Sequence, residues 1–249
     1  KQISWLGYCN TTGIDNMDYL ISDPNLIYPE EECNYLEKII YLPNIWNCHS
    51  ELNIQRVDLE PPCLKNKYTT FGSFNNFNKI NDSVIDVWSQ ILKNVTGSKL
   101  ILKSSLKVDN NYIMKKFIEN GVSNSVVFLE KRKLIKHYSL YKQIDIALDT
   151  FPYNGVTTSF EAISMGVPVL TMKGYNFNSR CGESININLG MKDLIAKDES
   201  EYIFKAKKLA EDQDELLKTR KKIFTMAPHT PLFDKIKFAN DFFSCLENI

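Results

Sequence analysis

The sequence predicts an α/β fold built on a parallel sheet, and three observations carry that prediction. From residue 68 onward, short apolar runs of strand length alternate with longer segments whose apolar residues recur at helical spacing. Two of the helical segments stop at glycines, Gly121 and Gly166, the residue that most readily takes the left-handed conformation closing a helix. The chain also shows no internal repeat and no low-complexity tract. Strands that alternate with helices need right-handed crossovers, which leave the strands parallel and covered on both faces.

Residues 3–6 and 19–21 read as short strands, the second followed by Asp23-Pro24. A helix is predicted to start at Pro29, because proline suits a first turn and Glu30 and Glu31 suit its positive end. It is expected to run through Leu36 and Ile39-Ile40. Residues 44–66, with Pro61-Pro62 and little periodicity, read as an irregular linker and the best domain boundary. Residues 68–71 form the next strand. Asn81 or Ser83 then caps a helix whose apolar face is Val84, Val87, Trp88, Ile91 and Leu92. Strands follow at 99–103, 126–129, 144–148 and 167–172, separated by helices at 111–120, 133–141 and 158–165. From Ser184 on the chain is mostly helical, with a short strand candidate at 194–196.

The composition narrows the function classes. The 249 residues are 43% hydrophobic and 24% charged, which is ordinary for a globular protein. Lys+Arg and Asp+Glu are both 30, so the formal net charge is zero. No basic excess marks a nucleic-acid or anionic-membrane partner, and no apolar run reaches the length of a membrane span. Six cysteines stand without a CxxC pair or a Cys/His cluster, which argues against zinc and for reduced thiols in a cytoplasmic protein. The chain opens on Lys1 inside what reads as a strand, so a fragment or processed product is expected.

In open α/β sheets ligands sit beyond the carboxyl ends of the strands. Here those ends lead into residues 72–79, 103–109, 130–132, 150–156 and 173–179. Neither GxGxxG nor GxxxxGK[ST] occurs, so the two common nucleotide fingerprints are absent. What remains is Asn154-Gly155-Val156-Thr157-Thr158 at a helix start. The first N–H groups of a helix lack partners and carry roughly half a positive charge. Gly155 permits close approach and the two threonines add donors, which suits a phosphate or diphosphate. The plain alternative is an N-cap contributing roughly 1 kcal/mol to the helix. Glu161 lies on the same helical face. It either closes a capping box with Thr158 or accepts from a ribose diol.

Longer stretches carry a resemblance. "LDTFPYNGVTTSFEAISMGVPVLTMKG", "SRCGESININLGMKDLIAKDESEY" and "TPLFD" resemble the catalytic region of the O-GlcNAc transferase/SPINDLY-like family, glycosyltransferase family 41. Upstream, "WLGYCNTTGIDNMDYLISDP" is similar to that family's "WLGYPGTSG…MDYIITD", and "FGSFNNFNKI" to its "NFNQLYKI" loop. The likeness spans nearly the whole chain in the right order.

The resemblance implies a GT-B fold, in which two Rossmann-like lobes hold a nucleotide sugar mainly through the second. Residues 1–43 would be the C-terminal part of the first lobe and 44–66 the linker. Residues 67–230 would form a complete nucleotide-sugar-binding lobe, and 231–249 a C-terminal helix. It implies an inverting, metal-independent transferase, without cofactor, that moves N-acetylglucosamine or a related sugar from a UDP-sugar to Ser/Thr hydroxyls of proteins. Lys79 matches the family's essential lysine and would stabilise the departing diphosphate with Thr157 and Thr158. Asn76 matches a phosphate-contacting glutamine, Arg132 a position whose backbone reads uracil, and His137 a histidine packed on uracil. Glu161 stands where the family has a ribose-binding aspartate. Leu6 and Gly7 match a loop lining the donor sugar, Tyr153 lies near that sugar, and Asn154 and Gly155 belong to the phosphate loop. Val156 replaces a histidine, while Cys9 and Asn10 replace Pro-Gly. Two other readings stand beside this one: a nucleotide-sugar-binding module or degenerate transferase without activity, and a transferase acting on a glycan or lipid-linked acceptor.

Overall fold

A strand buried on both faces needs apolar side chains at consecutive positions, one set for each covering layer. The computed structural model shows this in its main sheet; it describes residues 1–50, 60–103, 110–129, 137–247 and 249. Strands β4 (Thr70–Ser73), β5 (Lys99–Lys103), β6 (Val126–Leu129), β7 (Ile146–Leu148), β8 (Val169–Met172) and β9 (Ile195–Ala196) form it. They lie in the order β6-β5-β4-β7-β8-β9, every neighbouring pair parallel. Phe71, Leu100, Leu102, Ile146, Leu148 and Leu170 face one layer, and Ile101, Ala147 and Val169 the other.

Helices α1 (Asp82–Asn94), α2 (Asn111–Glu119) and α5 (Glu199–Glu211) cover the first face; α3 (Thr157–Ser164) and α4 (Phe177–Asn188) cover the second. Asn81 caps α1 by accepting from Val84 N at 2.9 Å, and the predicted apolar stripe is buried in full. Gly121 follows α2 at φ 73° and Gly166 follows α3 at φ 71°, as helix-stopping glycines should. Helix α6 (Gln213–Met226) completes this body. No helix among the described residues is long and apolar enough to cross a membrane.

A second, three-stranded parallel sheet holds β1 (Ile3–Ser4), β2 (Tyr19–Ser22) and β3 (Lys38–Tyr41), in that order. The last helix, α7 (Lys235–Glu247), lays Phe238, Phe242 and Cys245 against Ile21 and Ile40 of this small sheet and Leu42 just beyond it. Trp5 joins it, its ring 4.6 Å from that of Phe242.

The sequence reading differs from the structure in several places. The helix expected from Pro29 through Ile40 is a 3-10 segment, Pro29–Asn34, and Lys38–Tyr41 is a strand. The Ile39-Ile40 pair satisfies its backbone against β2, and β-branched residues at a sheet edge favour that outcome over a longer helix. Strand β4 lies two residues later than predicted, at Thr70–Ser73. Helix α4 begins at Phe177, where Asn176 accepts from Ser179 N at 3.3 Å, seven residues before the expected helical region. Of the helix predicted at 133–141, residues 133–136 lie outside the described residues; His137 and Tyr138 are helical and Ser139–Gln143 is 3-10. Within 44–66, Ile45 and Trp46 are core residues and Cys63–Asn66 is a single helical turn; 51–59 are outside the described residues.

Helix α4 joins the two bodies. Arg180 donates through Nη2 to Glu31 Oε1 at 2.7 Å and through Nη1 to Glu31 Oε2 at 2.5 Å, with a further bond from Nη1 to Leu26 O at 3.1 Å. Its guanidinium also lies 4.1 Å from the centre of the Tyr28 ring. Arg180 pulls the Glu31 carboxyl below its usual range. A two-pronged pair of this kind, shielded on the arginine side, costs roughly 3 kcal/mol when one partner is removed. Arg180→Ala should therefore lower stability by about that amount in urea unfolding, and Arg180→Lys should recover only part of it, since lysine lacks the fork.

Candidate active site

The chain order of the main sheet reverses between β4 and β7. Strands β4, β5 and β6 step outward to one edge, and β7, β8 and β9 to the other. Ligands in open parallel sheets bind outside the carboxyl ends at such a reversal, because the two loops leaving it diverge and open a crevice. Here those loops run through residues 74–81 and 149–156.

Asp149, the first residue after β7, organises the crevice floor. Its Oδ1 accepts from Gly155 N at 2.7 Å and Thr150 N at 2.9 Å, and its Oδ2 from Thr171 Oγ1 at 2.8 Å. Asn75 Nδ2 approaches the same carboxylate at 3.5 Å. The Asp149 carbonyl accepts from the buried Tyr202 hydroxyl at 2.9 Å. Burial raises this carboxyl to about 6, with its hydrogen-bond donors and Lys79 opposing the rise. Helix α4 comes so close that a Cβ on Gly182 would overlap Thr171 Oγ1 and lie 2.7 Å from Asp149 Oδ2. Only glycine fits there.

Lys79, at the end of the 3-10 turn Phe77–Lys79, reaches across the crevice. Its Nζ donates to Asn154 O at 2.7 Å and lies 4.1 Å from the centre of the Tyr153 ring. Burial lowers its pKa, opposed chiefly by Asp149. Asn154 is itself held on both sides, donating through Nδ2 to Thr150 O at 2.8 Å and accepting from Gly182 N at 3.1 Å. The lysine is thus aimed by a rigid loop.

At the start of α3 no side chain caps the helix, and Val156 occupies the N-cap position. Thr157 is exposed, and Thr158 Oγ1 donates to Asn75 Oδ1 at 2.8 Å. The glycine of this loop has a different role from the one its sequence suggests. The Gly155 N–H is committed to Asp149, and a Cβ there would come within 2.7 Å of both Asn75 Oδ1 and Thr158 Oγ1. Gly155 admits those two side chains. The capping box expected between Thr158 and Glu161 is also not formed. Glu161 instead turns away from the helix start, and its Oε2 lies 2.9 Å from both Tyr141 Oη and His137 Nε2.

His137 is buried against Phe74, Tyr138 and Tyr141. Glu161 Oε2 holds the ring at its Nε2. Its Nδ1 is buried with no partner among the described residues. Burial and then Glu161 raise the Tyr138 and Tyr141 hydroxyls. Asn76 Oδ1 accepts from Asn78 N at 3.1 Å, so its carbonyl end is used by the turn and its NH₂ end remains the donor. Arg132 lies outside the described residues. Leu6, at φ 59°, and Gly7 stand exposed on the shoulder of the loop that brings Tyr8 and Cys9 beside Tyr153.

The structure therefore gathers Lys79, Tyr153, Asn154, Thr157 and Thr158 around one crevice, with His137 and Glu161 joined beneath α3. Sequence reasoning missed Asp149 and Asn75. A carboxylate directly after an apolar strand, ahead of the Phe-Pro-Tyr-Asn-Gly turn, was the available signal for Asp149. Asn75 left none beyond its place in the loop.

The chain matches the profile described as Glycosyl transferase family 41 across residues 61–242. It is 35% identical over 246 residues to a protein of Solanum lycopersicum named probable UDP-N-acetylglucosamine--peptide N-acetylglucosaminyltransferase SPINDLY; the match covers 96% of this chain and 26% of that one. A Caenorhabditis elegans UDP-N-acetylglucosamine--peptide N-acetylglucosaminyltransferase is 33% identical over 172 residues, covering 69% of this chain and 15% of its own. A mutant O-GlcNAc transferase from Thermobaculum terrenum superposes with a TM-score of 0.88 at 29% identity, over 99% of this chain and 48% of that one. A glycosyltransferase involved in lipopolysaccharide biosynthesis shares the fold, at a TM-score of 0.59 and 14% identity over 94% of this chain and 64% of that one. The fold is of the GT-B type. The chain spans about a quarter of the length of the curated relatives it matches, 26% in the case of the Solanum protein.

The raised Asp149 carboxyl makes a pH prediction with a definite sign. A folded-state pKa of about 6 against an ordinary 3.8 means that the folded protein binds this proton more tightly. Its contribution to stability is full below the ordinary value and is lost as pH rises through about 6. Asp149→Asn removes that titration, while its amide can still accept from Gly155 and donate to Thr171. Measured by urea unfolding, the stability of the variant relative to wild type should climb between pH 4 and 6, at most by roughly 1.4 kcal/mol per unit. Asp23, also raised to about 6 by burial, titrates in both proteins and cancels. A flat difference across that range would show that Asp149 does not titrate there.

Proposed function

The chain belongs to glycosyltransferase family 41, and on that premise we propose that its switch-point crevice binds a UDP-sugar and transfers N-acetylglucosamine or a related sugar to Ser/Thr hydroxyls of proteins. The observation that carries this reading is Lys79 facing the uncapped start of α3, its Nζ fixed on Asn154 O at 2.7 Å. Transfer breaks the bond between the anomeric carbon and the diphosphate oxygen, and negative charge collects on the leaving group. A cation and free helix N–H groups already fixed at that point stabilise the charge without reorganising as it forms. Lys79 and the first turn of α3 take that role, with Thr157 and the NH₂ end of Asn76 as further donors. No metal ion is given a part.

The acceptor oxygen forms its bond to the anomeric carbon on the face opposite the diphosphate, in a single inverting displacement. Its proton passes to a base or a water chain. His137 and Glu161 lie at the uridine end of this reading. Glu161 holds the His137 ring through Nε2, which sets the ring for uracil and brings the carboxylate to a ribose hydroxyl. Tyr153 and the Leu6-Gly7 shoulder lie toward the sugar.

Calorimetry with UDP, ADP and GDP tests the pocket. UDP is expected to bind in clear preference to the other two, and absence of that preference would overturn the uridine assignment. Lys79→Ala should weaken UDP by about 1.5–3 kcal/mol, roughly ten- to a hundredfold in Kd. The Thr157→Ala/Thr158→Ala pair should weaken it less. A Lys79→Ala protein that binds UDP normally would remove this lysine from the diphosphate.

A further inference from the structure

Of the hydrogen bonds that cross the switch-point crevice, two stand on either side of Gly155. Thr158 Oγ1 donates to Asn75 Oδ1 at 2.8 Å, and Lys79 Nζ donates to Asn154 O at 2.7 Å. Asn75 and Lys79 belong to the loop after β4, Asn154 and Thr158 to the loop after β7 and the first turn of α3. The two bonds close a frame whose corners stand four positions apart on each lip.

We propose that Asn75 is a positioning residue of the diphosphate site: it takes up the Thr158 hydroxyl, fastens the Lys79 loop to α3, and leaves Lys79, Thr157 and the helix N–H groups to meet the phosphates. This deepens the transferase reading above and rests on it for the identity of the ligand.

A threonine hydroxyl has a single proton to donate. Given to Asn75, that proton is withheld from a phosphate oxygen, and the lone pairs left on Thr158 Oγ1 repel one. The other end of the amide sets its orientation. Asn75 Nδ2 lies 3.4 Å from Ser73 Oγ and 3.5 Å from Asp149 Oδ1, and an ionised carboxylate only accepts. Turning the amide round would set its oxygen against that carboxylate. Asn75 is 5% exposed, so water competes little for these bonds. The bare Cα of Gly155 is what lets the Asn75 and Thr158 side chains meet.

Between Asn75 and Lys79 the loop is stiff. Asn76 Oδ1 accepts from Asn78 N at 3.1 Å, Lys79 N donates to Asn76 O at 3.0 Å, and Phe77 is buried in the core. A displacement at Asn75 is therefore carried to Lys79 and not absorbed on the way. Beyond the lysine, Asn81 Nδ2 donates to Phe151 O at 2.9 Å and holds the far end of the loop. Loss of Asn75 thus frees one of two anchors, and it should weaken the ligand less than loss of Lys79 itself.

Calorimetric UDP binding across a double-mutant cycle tests this. Asn75→Ala and Thr158→Val should each weaken UDP roughly three- to tenfold, the range of one neutral hydrogen bond. The double variant should bind no more weakly than the weaker single one. Thr158→Ser keeps the hydroxyl and should recover most of the affinity. Uridine, which has no phosphates, should bind every variant as it binds wild type by ligand-observed NMR. Acylation with an N-hydroxysuccinimide ester and peptide mass mapping need no nucleotide: relative to exposed Lys93, Lys79 should react severalfold faster in Asn75→Ala.

A Thr158→Val change that weakens UDP further in the Asn75→Ala background would put Thr158 on the diphosphate and overturn the proposal. Equal losses for uridine and UDP would reduce Asn75 to a support of the fold and overturn it too. Unchanged Lys79 acylation would overturn the link from Asn75 to Lys79. Wild-type protein that binds no UDP would instead overturn the pocket reading, and the Lys79 acylation would then decide that link by itself.

Discussion

A single buried carboxylate fixes the geometry on which the rest of the crevice depends. Asp149 gathers the N–H groups of Thr150 and Gly155, the hydroxyl of Thr171 and the amide of Asn75 at the end of β7. Burying a charge in this way costs several kcal/mol before its hydrogen bonds are counted, which is why its pKa lies high even with three close donors. What that cost secures is shape. Gly155 is drawn onto the carboxylate, Asn154 is turned so that its carbonyl meets Lys79, and α3 starts at a fixed angle with its first turn uncapped. The donors facing the crevice are thus placed by an acceptor that never faces it.

The same logic sets the relation between the two bodies. Helix α4 carries Gly182 against Asp149 on one side and Arg180 against Glu31 and Leu26 on the other. Ser184, one turn further, donates to buried Asp23 at 2.7 Å, and Asp23 also accepts from Trp46 N at 3.0 Å. One helix therefore reads the floor of the crevice and the small sheet together. A shift of α4 would be felt at Lys79 through Asn154.

Glu161 shows how a sequence match and a local rule can both describe a residue incompletely. Its spacing from Thr158 fits a capping box, yet its carboxylate goes to His137 and Tyr141, brought there from residues some twenty positions upstream. The hydrogen bonds it forms hold the His137 ring in place, which a helix cap could not do. Asn76 is the converse case, since its side chain is spent on its own turn through Asn78 N and only its donor end is free for another partner.

The sequence by itself determined the α/β class, the parallel main sheet, the capped and glycine-stopped helices, and the stretch from Asn154 to Thr158 as a helix start at a strand end. These are local matters: hydrophobic period, cap chemistry and the left-handed preference of glycine act within a few residues, so a linear string displays them. Only the tertiary structure decided that Ile39-Ile40 would join a sheet, because the free backbone of β2 lies almost twenty residues away in sequence. It alone decided that Gly155 serves Asp149 and that Glu161 serves His137. Each of those choices depends on which buried polar group must be satisfied by a partner from another element. That requirement arises only when the chain has packed and water has been removed.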